Sequence, residues 1–414
     1  MSGLGFASME DMEVKGRRVL LRCDINSPID PETKRIVNEN RLDKTVPTLR
    51  WLLEQGARVG IIAHQGDTLD YQDLIPMAEH AQKLSQKLGR PVAYIDDVCG
   101  PAAIAKVEAL EDGEAVLLGN LRYLTEEVSV FETVVKLEPE QMAGTYLVRS
   151  LAPHFDLYVN EAFSAAHRKC PSMVAFQRLL PSAAGPLFFR EVSTLTRIME
   201  HPAHPSTFVL GGAKISDAFG MMGQVLKTGS ADRILTCGVT GEVFLMAGGK
   251  DLGGKMMQFL SDRGLLGFVD EAKDLLGKYG GKIEVPEDLA YECEGKRQEI
   301  GVADLPVEED FIDIGQRTIA RYRKAIAGSG TVFVNGPAGI YEKAGFEDGT
   351  RELWKAMEES RGFTVIGGGD SVTAAARFTD MSRIGYICTA GGAMVRFLSG
   401  KKLPLIEAME HAKR

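Results

Sequence analysis

At 414 residues the chain is long for one hydrophobic core, and two or three domains are expected. Its apolar share of 44% and charged share of 25% are those of a globular protein, and no apolar run reaches the about 18 residues of a membrane-spanning helix. A formal net charge of −9 argues against nucleic-acid binding, which calls for a basic surface, so an anionic ligand needs a local basic patch working against the overall field.

The first strand signal is Arg18-Val-Leu-Leu-Arg-Cys-Asp24, which ends in the turn-rich Asp24-Ile-Asn-Ser-Pro28. Asn40-Arg-Leu-Asp-Lys-Thr-Val-Pro47 leads into a helix: Thr45 can cap it, Pro47 suits its first turn, and Leu49, Leu52 and Leu53 form an inward stripe that Gly56 stops. A second strand over 58–63 ends in His64-Gln-Gly-Asp67; a helix over 77–88 and a strand over 92–95 follow. The apolar stretch 115–119 ends in Asn120-Leu-Arg122, a helix is expected over 141–151, and Leu157-Tyr-Val159 runs into Asn160-Glu-Ala-Phe-Ser-Ala-Ala-His-Arg-Lys169. Strands alternating with helices predict a parallel α/β sheet, whose ligands bind beyond the carboxyl ends of the strands. Asp24, Asn26, His64, Arg122, Asn160, His167 and Arg168 gather at those ends, and Arg41 can join them. Arginines and histidines at successive strand ends suit a small anion bearing phosphate and carboxylate.

Pro181-Ser-Ala-Ala-Gly-Pro186 breaks the rhythm and marks a domain boundary. Beyond it the strand ends turn glycine-rich: Leu210-Gly-Gly-Ala-Lys214, Thr236-Cys-Gly-Val-Thr-Gly241 and Val334-Asn-Gly-Pro-Ala-Gly339. Further strands are expected over 282–285 and 384–387. The central stretch is Phe363-Thr-Val-Ile-Gly-Gly-Gly-Asp-Ser371, a buried strand that breaks on Gly367, Gly368 and Gly369 before an Ala-rich helix. Glycines let backbone approach an anion closely, and the free N–H groups of a helix start point at it. Asp370 adds a hard oxygen ligand for a phosphate-bound Mg²⁺, with Ser371 beside it, or else caps the helix at a tight strand–helix turn; this stretch alone leaves both readings open. The same reasoning makes Gly212 and Gly238 nucleotide-facing. The expected fold is α/β, with two doubly wound, Rossmann-like parallel-sheet domains: one shaped for a small anion, one for a nucleotide. Gly249-Lys-Asp-Leu-Gly-Gly-Lys-Met256 approaches a P-loop, but Met256 replaces the hydroxyl residue and no strand precedes it, so it reads as a lysine-bearing loop. No GxGxxG follows the first strand of either half, which argues against a dinucleotide dehydrogenase. The 6 cysteines form no CxxC pair, as for free thiols in a reducing cytoplasm, and residues 1–13 lack an apolar signal core.

Nine stretches, in order, make the chain resemble the phosphoglycerate kinase family. They are RCDINSP (22–28), RLDKTVPTL (41–49), AHQGD (63–67), GNLRYLTEE (119–127), NEAFSAAHRKCPS (160–172), LGGAKISD (210–217), VNGPAGIYE (334–342), IGGGDS (366–371) and TAGGA (389–393). The AHQG form, and Ala218 in place of a second lysine, look like the archaeal branch. The resemblance implies reversible phosphoryl transfer between 1,3-bisphosphoglycerate and ADP with Mg²⁺, giving 3-phosphoglycerate and ATP. It implies that Asp24, Asn26, Arg41, His64, Arg122 and Arg168 hold the phosphoglycerate, with His167 adjoining. Lys214 bridges the transferred group, and Arg41 and Lys214 supply the catalytic charge. Asn335, Glu342 and 367–371 take the nucleotide, with Asp370 on the metal. It also implies domains 1–184 plus 403–414 and 185–402, a hinge beginning at 185–192, and a cytoplasmic monomer.

Departures from the family pattern concentrate in the site. Asp67 stands where an arginine is usual, a charge reversal near the substrate phosphate, and Ala390 adds a Cβ to a glycine run. Glu161 replaces the usual Asp, Gly119 the usual Glu and Val334 the usual Trp. Two alternatives follow: a diverged paralogue phosphorylating another small carboxylate, or a non-catalytic nucleotide-binding protein.

Overall fold

The computed structural model describes residues 4–67, 72–388 and 390–413. The chain divides into two compact units, Met1–Ser193 with Lys402–Arg414, and Thr194–Lys401. The first runs β1 (Arg18–Arg22), α1 (Asn40–Glu54), β2 (Arg58–Ile62), α2 (Ala78–Leu88), β3 (Ala93–Tyr94), α3 (Pro101–Glu108), β4 (Ala115–Leu117), α4 (Pro139–Met142), α5 (Tyr146–Leu151), β5 (Leu157–Asn160), α6 (Pro171–Val174), β6 (Ser182–Ala184) and α7 (Pro186–Glu200), the last continuing into the second unit. Its sheet has the order β3-β4-β2-β1-β5-β6, with every pairing parallel. Both faces are covered, so the strands are apolar along their length. Val19, Leu21, Val59, Ile61 and Val159 pack against Leu49, Leu52 and Leu53 of α1 and Leu84 of α2. The strand order turns at β1, and Arg22 lies in register with both Ile62 and Asn160. The residues that follow these strands therefore emerge at one edge, at the switch point where such sheets bind ligands.

Two local expectations change. The helix expected to start near Thr45 begins at Asn40, so Arg41 sits in its first turn rather than in the preceding loop. Thr45 is interior and turns its hydroxyl to the Arg41 carbonyl (3.1 Å), and Pro47 is also interior, where it removes one intrahelical bond. The helix expected over 141–151 is split into α4 and α5, separated by Ala143-Gly-Thr145.

The second unit runs β7 (Ser206–Leu210), α8 (Ile215–Thr228), β8 (Arg233–Thr236), α9 (Gly238–Ala247), α10 (Gly254–Asp262), α11 (Phe268–Tyr279), β9 (Ile283–Glu284), β10 (Asp288–Cys293), β11 (Lys296–Gly301), β12 (Phe311–Ile314), α12 (Gln316–Ala327), β13 (Thr331–Asn335), α13 (Asp348–Glu359), β14 (Phe363–Gly367), α14 (Gly369–Phe378), β15 (Tyr386–Ile387) and α15 (Gly391–Leu398). Its main sheet, β15-β14-β13-β7-β8-β9, is parallel throughout. Val209, Leu235, Val334 and Ile366 meet Tyr322, Leu353 and Trp354 in the core. A three-stranded antiparallel sheet, β11-β10-β12, has no counterpart in the sequence expectations. Its hairpin turns at Glu294 and Gly295, both with positive φ (51° and 72°), the geometry of a two-residue turn.

The chain ends with α16 (Pro404–Glu410), which returns to the first unit: Leu405 N–H donates to the Ala166 carbonyl (3.2 Å) and Lys413 N–H to that of Gln177 (3.0 Å). Among the described residues no helix is long and apolar enough to cross a membrane.

Candidate active site

In the first unit, a cleft of about 490 Å³ opens at the carboxyl end of the sheet. Asn26, Arg41, His64, Asp67, Arg122, His167 and Arg168 line it. Arg41 Nη1 contacts both carboxylate oxygens of Asp24 at 2.7 and 2.8 Å, and the Ser164 hydroxyl donates to the same carboxylate. Asp24 thus holds Arg41, and its own carboxylate is taken up by those two partners. Asn26 Oδ1 accepts from Gly66 N–H (3.0 Å), fixing the loop that carries Asp67.

His64 is buried, and Arg22 Nη2 lies 2.9 Å from its Nδ1. A guanidinium only donates, so Nδ1 accepts and Nε2–H is the ring's remaining donor. Burial, then the charges of Arg22, Arg122, Arg41 and Arg168, hold His64 well below its usual range and therefore neutral at pH 7. Arg22 is itself buried and donates through Nε to Ser172 Oγ (3.4 Å), which donates to Glu127 (2.6 Å). Arg122 donates to the carbonyls of Gly66 (3.4 Å) and Glu127. Arg168 pairs with Glu132, whose other oxygen accepts from Lys169 N–H (3.0 Å).

Asn160 leaves the group expected from sequence. It is fully buried, donates to Tyr158 Oη (2.7 Å) and accepts from Ala162 N–H (2.8 Å), so it shapes the turn after β5 instead of facing the cleft.

The second unit carries the glycine triplet, and its three residues differ. Gly367 closes β14 against Met394, where a Cβ would collide with the thioether. Gly368 has φ +89°, and a Cβ there would lie 2.5 Å from Asn335 Oδ1. Gly369 opens α14 with nothing within 4 Å of a Cβ position. The Ser371 hydroxyl accepts from Gly336 N–H (2.7 Å), tying the loop after β13 to the start of α14. Asp370 and Lys214 stand 3.7 Å apart with side chains 68% and 75% exposed, an ion pair presented to solvent at a helix start. Beside them a cleft of about 530 Å³ is lined by Gly212, Gly238, Pro337, Glu342 and Asp370 and also by Met256, Phe259, Leu289 and Phe311. The lysine-bearing stretch 249–256 is a loop running into α10, where Lys255 pairs with Glu309 (2.5 Å). Ala390 is buried at the start of α15; Thr389 lies outside the described residues.

The family model for phosphoglycerate kinase matches residues 9–401. The chain belongs to the phosphoglycerate kinase family. It is 42% identical over 409 residues to the phosphoglycerate kinase of Methanothermus fervidus, covering 99% of this chain and 98% of the relative. It is 40% identical over 408 residues to that of Methanothermobacter thermautotrophicus, covering 99% and 97%. The crystal structure of phosphoglycerate kinase from Pyrococcus horikoshii OT3 superposes with a TM-score of 0.86 at 36% identity, covering 98% of each chain. The structure of phosphoglycerate kinase from Coxiella burnetii gives a TM-score of 0.83 at 30% identity, covering 99% of this chain and 100% of that one. These relatives span the whole chain and favour kinase activity over a diverged or non-catalytic reading. Several residues around the phosphoglycerate kinase clefts were not singled out from sequence: Arg22, Glu127, Glu132 and Ser164 in the first unit, and Glu242 in the second. An arginine ending an apolar strand was the available signal for Arg22; nothing in the local sequence marked Glu132.

Proposed function

We propose that the first unit's cleft holds 3-phosphoglycerate or 1,3-bisphosphoglycerate through Asn26, Arg41, His64, Arg122, His167 and Arg168, with Asp24 orienting Arg41. The second unit holds ADP or ATP through Gly212, Gly238, Asn335, Glu342 and 367–371. The observation that carries this reading is the exposed Lys214–Asp370 pair at the start of α14, 3.7 Å apart. A cation beside a carboxylate at a helix N-terminus suits a phosphate chain with its metal.

Magnesium fits this residue set. Among the described residues no three His, Cys, Asp or Glu side chains gather as a cage, and magnesium takes one or two carboxylates plus phosphate oxygens and water. Asp370 would hold it. Bound there, the ion supplies positive charge to phosphate oxygens.

Phosphoryl transfer asks little covalent chemistry of the protein: it asks for position and for charge against the equatorial oxygens. The carboxylate of 3-phosphoglycerate is the nucleophile and is ionised at pH 7, so no general base is required. Neutral His64 donates from Nε2 without adding charge. Lys214 in the second unit and Arg41 in the first are the cations we propose to supply charge for phosphoryl transfer. The protein acts as a monomer in the cytoplasm.

The test is turnover of 3-phosphoglycerate by the full chain with ATP and Mg²⁺, read through a coupled assay for the acyl phosphate. Turnover that requires the metal is expected. No turnover, with 3-phosphoglycerate failing to bind by calorimetry, would overturn the assignment of the basic cleft.

A further inference from the structure

The cleft of the second unit contains a side chain that the phosphate chemistry does not use. Glu242 lies on α9, one turn in from Gly238 at its start, lines the cleft and is 4% exposed. Its Oε2 is buried and has no hydrogen-bond partner among the described residues. The same cleft is lined by apolar Met256, Phe259 and Phe311 as well as by Asp310. A buried carboxyl oxygen left unpaired loses its hydration with no hydrogen bond in return. Such a group fits a site whose partner arrives with the ligand.

The rest of the cleft supplies the direction. Gly212, Gly238 and Asp370 line the same cleft, so a nucleotide whose phosphates lie at the start of α14 has apolar walls, with Glu242 one turn along α9 from Gly238, available to its base. We propose that Glu242 is a specificity-determining residue that reads the hydrogen-bonding edge of the nucleotide base through its carboxyl. Burial, then the negative charge of Asp310, pushes this carboxyl up to about 8, so it carries its proton at neutral pH. A carboxylic acid presents one O–H donor and one carbonyl acceptor side by side. Adenine presents the complement: an exocyclic N–H beside a ring-nitrogen acceptor. A purine lacking the 6-amino group satisfies only half of the pair. This inference rests on the nucleotide reading of the cleft.

The experiment is calorimetric titration of the full chain with MgADP and with the magnesium complex of purine riboside diphosphate, which lacks only the 6-amino group. Wild type, Glu242→Gln and Glu242→Leu are compared, with melting curves to establish that each is folded. Wild type should bind ADP about tenfold or more tightly than the analogue. Glu242→Gln, whose amide also offers a donor and an acceptor, should keep most of that preference, and Glu242→Leu should lose it. Equal preference in wild type and Glu242→Leu, or none in wild type, would overturn the base assignment while leaving the nucleotide site standing. Failure of wild type to bind MgADP at all would overturn the nucleotide site and this inference with it.

Discussion

The two half-sites are built from side chains in opposite states. In the first unit the cations are already engaged: Arg41 on Asp24, Arg168 on Glu132, Arg122 on backbone carbonyls. In the second, Lys214 and Asp370 face solvent. Lys214→Ala should therefore leave the fold intact, since only an exposed ion pair of small worth is lost. Phosphoryl transfer should drop about a hundredfold or more, because charge on the transition state is removed; stopped-flow turnover beside a melting curve checks both. Asp67 lies at the mouth of the basic cleft and opposes an incoming anion. Asp67→Arg should lower the KM for 3-phosphoglycerate, by about tenfold if the charge faces the bound phosphate; an unchanged or raised KM in steady-state assays would place the phosphate elsewhere. His64, Arg122 and Arg168 were legible because each stands at the end of an apolar strand or in the loop after it. Asn160 stood in the same pattern and misled, because strand position does not say which way a side chain turns. Glu132 was illegible: only the fold brings it to Arg168, 36 residues on.

At the scale of elements, α7 begins on a buried carboxylate. Glu161 accepts from Leu187 N–H (3.1 Å) and Phe188 N–H (3.2 Å), and Thr48 of α1 donates to the same side chain. Gly185 has no room for a Cβ beside it. Burial pushes Glu161 from 4.5 up to about 7, against those hydrogen bonds. The sign follows: a carboxyl that holds its proton more tightly when folded stabilises fully below its usual value, and that contribution is lost as pH rises towards about 7. Raising the pH from about 5 to about 8 should thus cost the wild type up to about 3 kcal/mol relative to Glu161→Gln. Denaturant titrations of both proteins at the two pH values read the difference. The sequence pattern located most strands of both parallel sheets, because doubly covered strands are short apolar runs bounded by turns. It passed over β10, β11 and β12: Lys296-Arg-Gln-Glu299 of β11 carries no apolar alternation, and the hairpin between β10 and β11 is marked only by Glu294-Gly295. It also placed the start of α1 too late, because Pro47 was read as a first-turn residue, and so left Arg41 in a loop.

At the scale of the molecule, each half-site is assembled within one compact unit. Each ligand should therefore leave its own footprint. In hydrogen-exchange measurements 3-phosphoglycerate alone should protect amides near Asn26, Gly66 and Arg122, and MgADP alone those near Gly212, Gly238 and Asp370. Protection by one ligand confined to the other's unit would refute the assignment. The local basic cleft also sits in a chain of net charge −9, so the attraction felt by an anion is short-ranged and confined to the arginines themselves.

The Arg168–Glu132 pair turns anion capture in that cleft into an exchange. If Arg168 takes the ligand phosphate as proposed, that phosphate does not meet a bare guanidinium but unseats a carboxylate that already satisfies Arg168 and the backbone of Lys169. Measured affinity is then the difference between two partnerships, weaker than the arginine count suggests. On that proposal the departing ligand leaves to a waiting successor, so the same pair that blunts binding would shorten the residence of product.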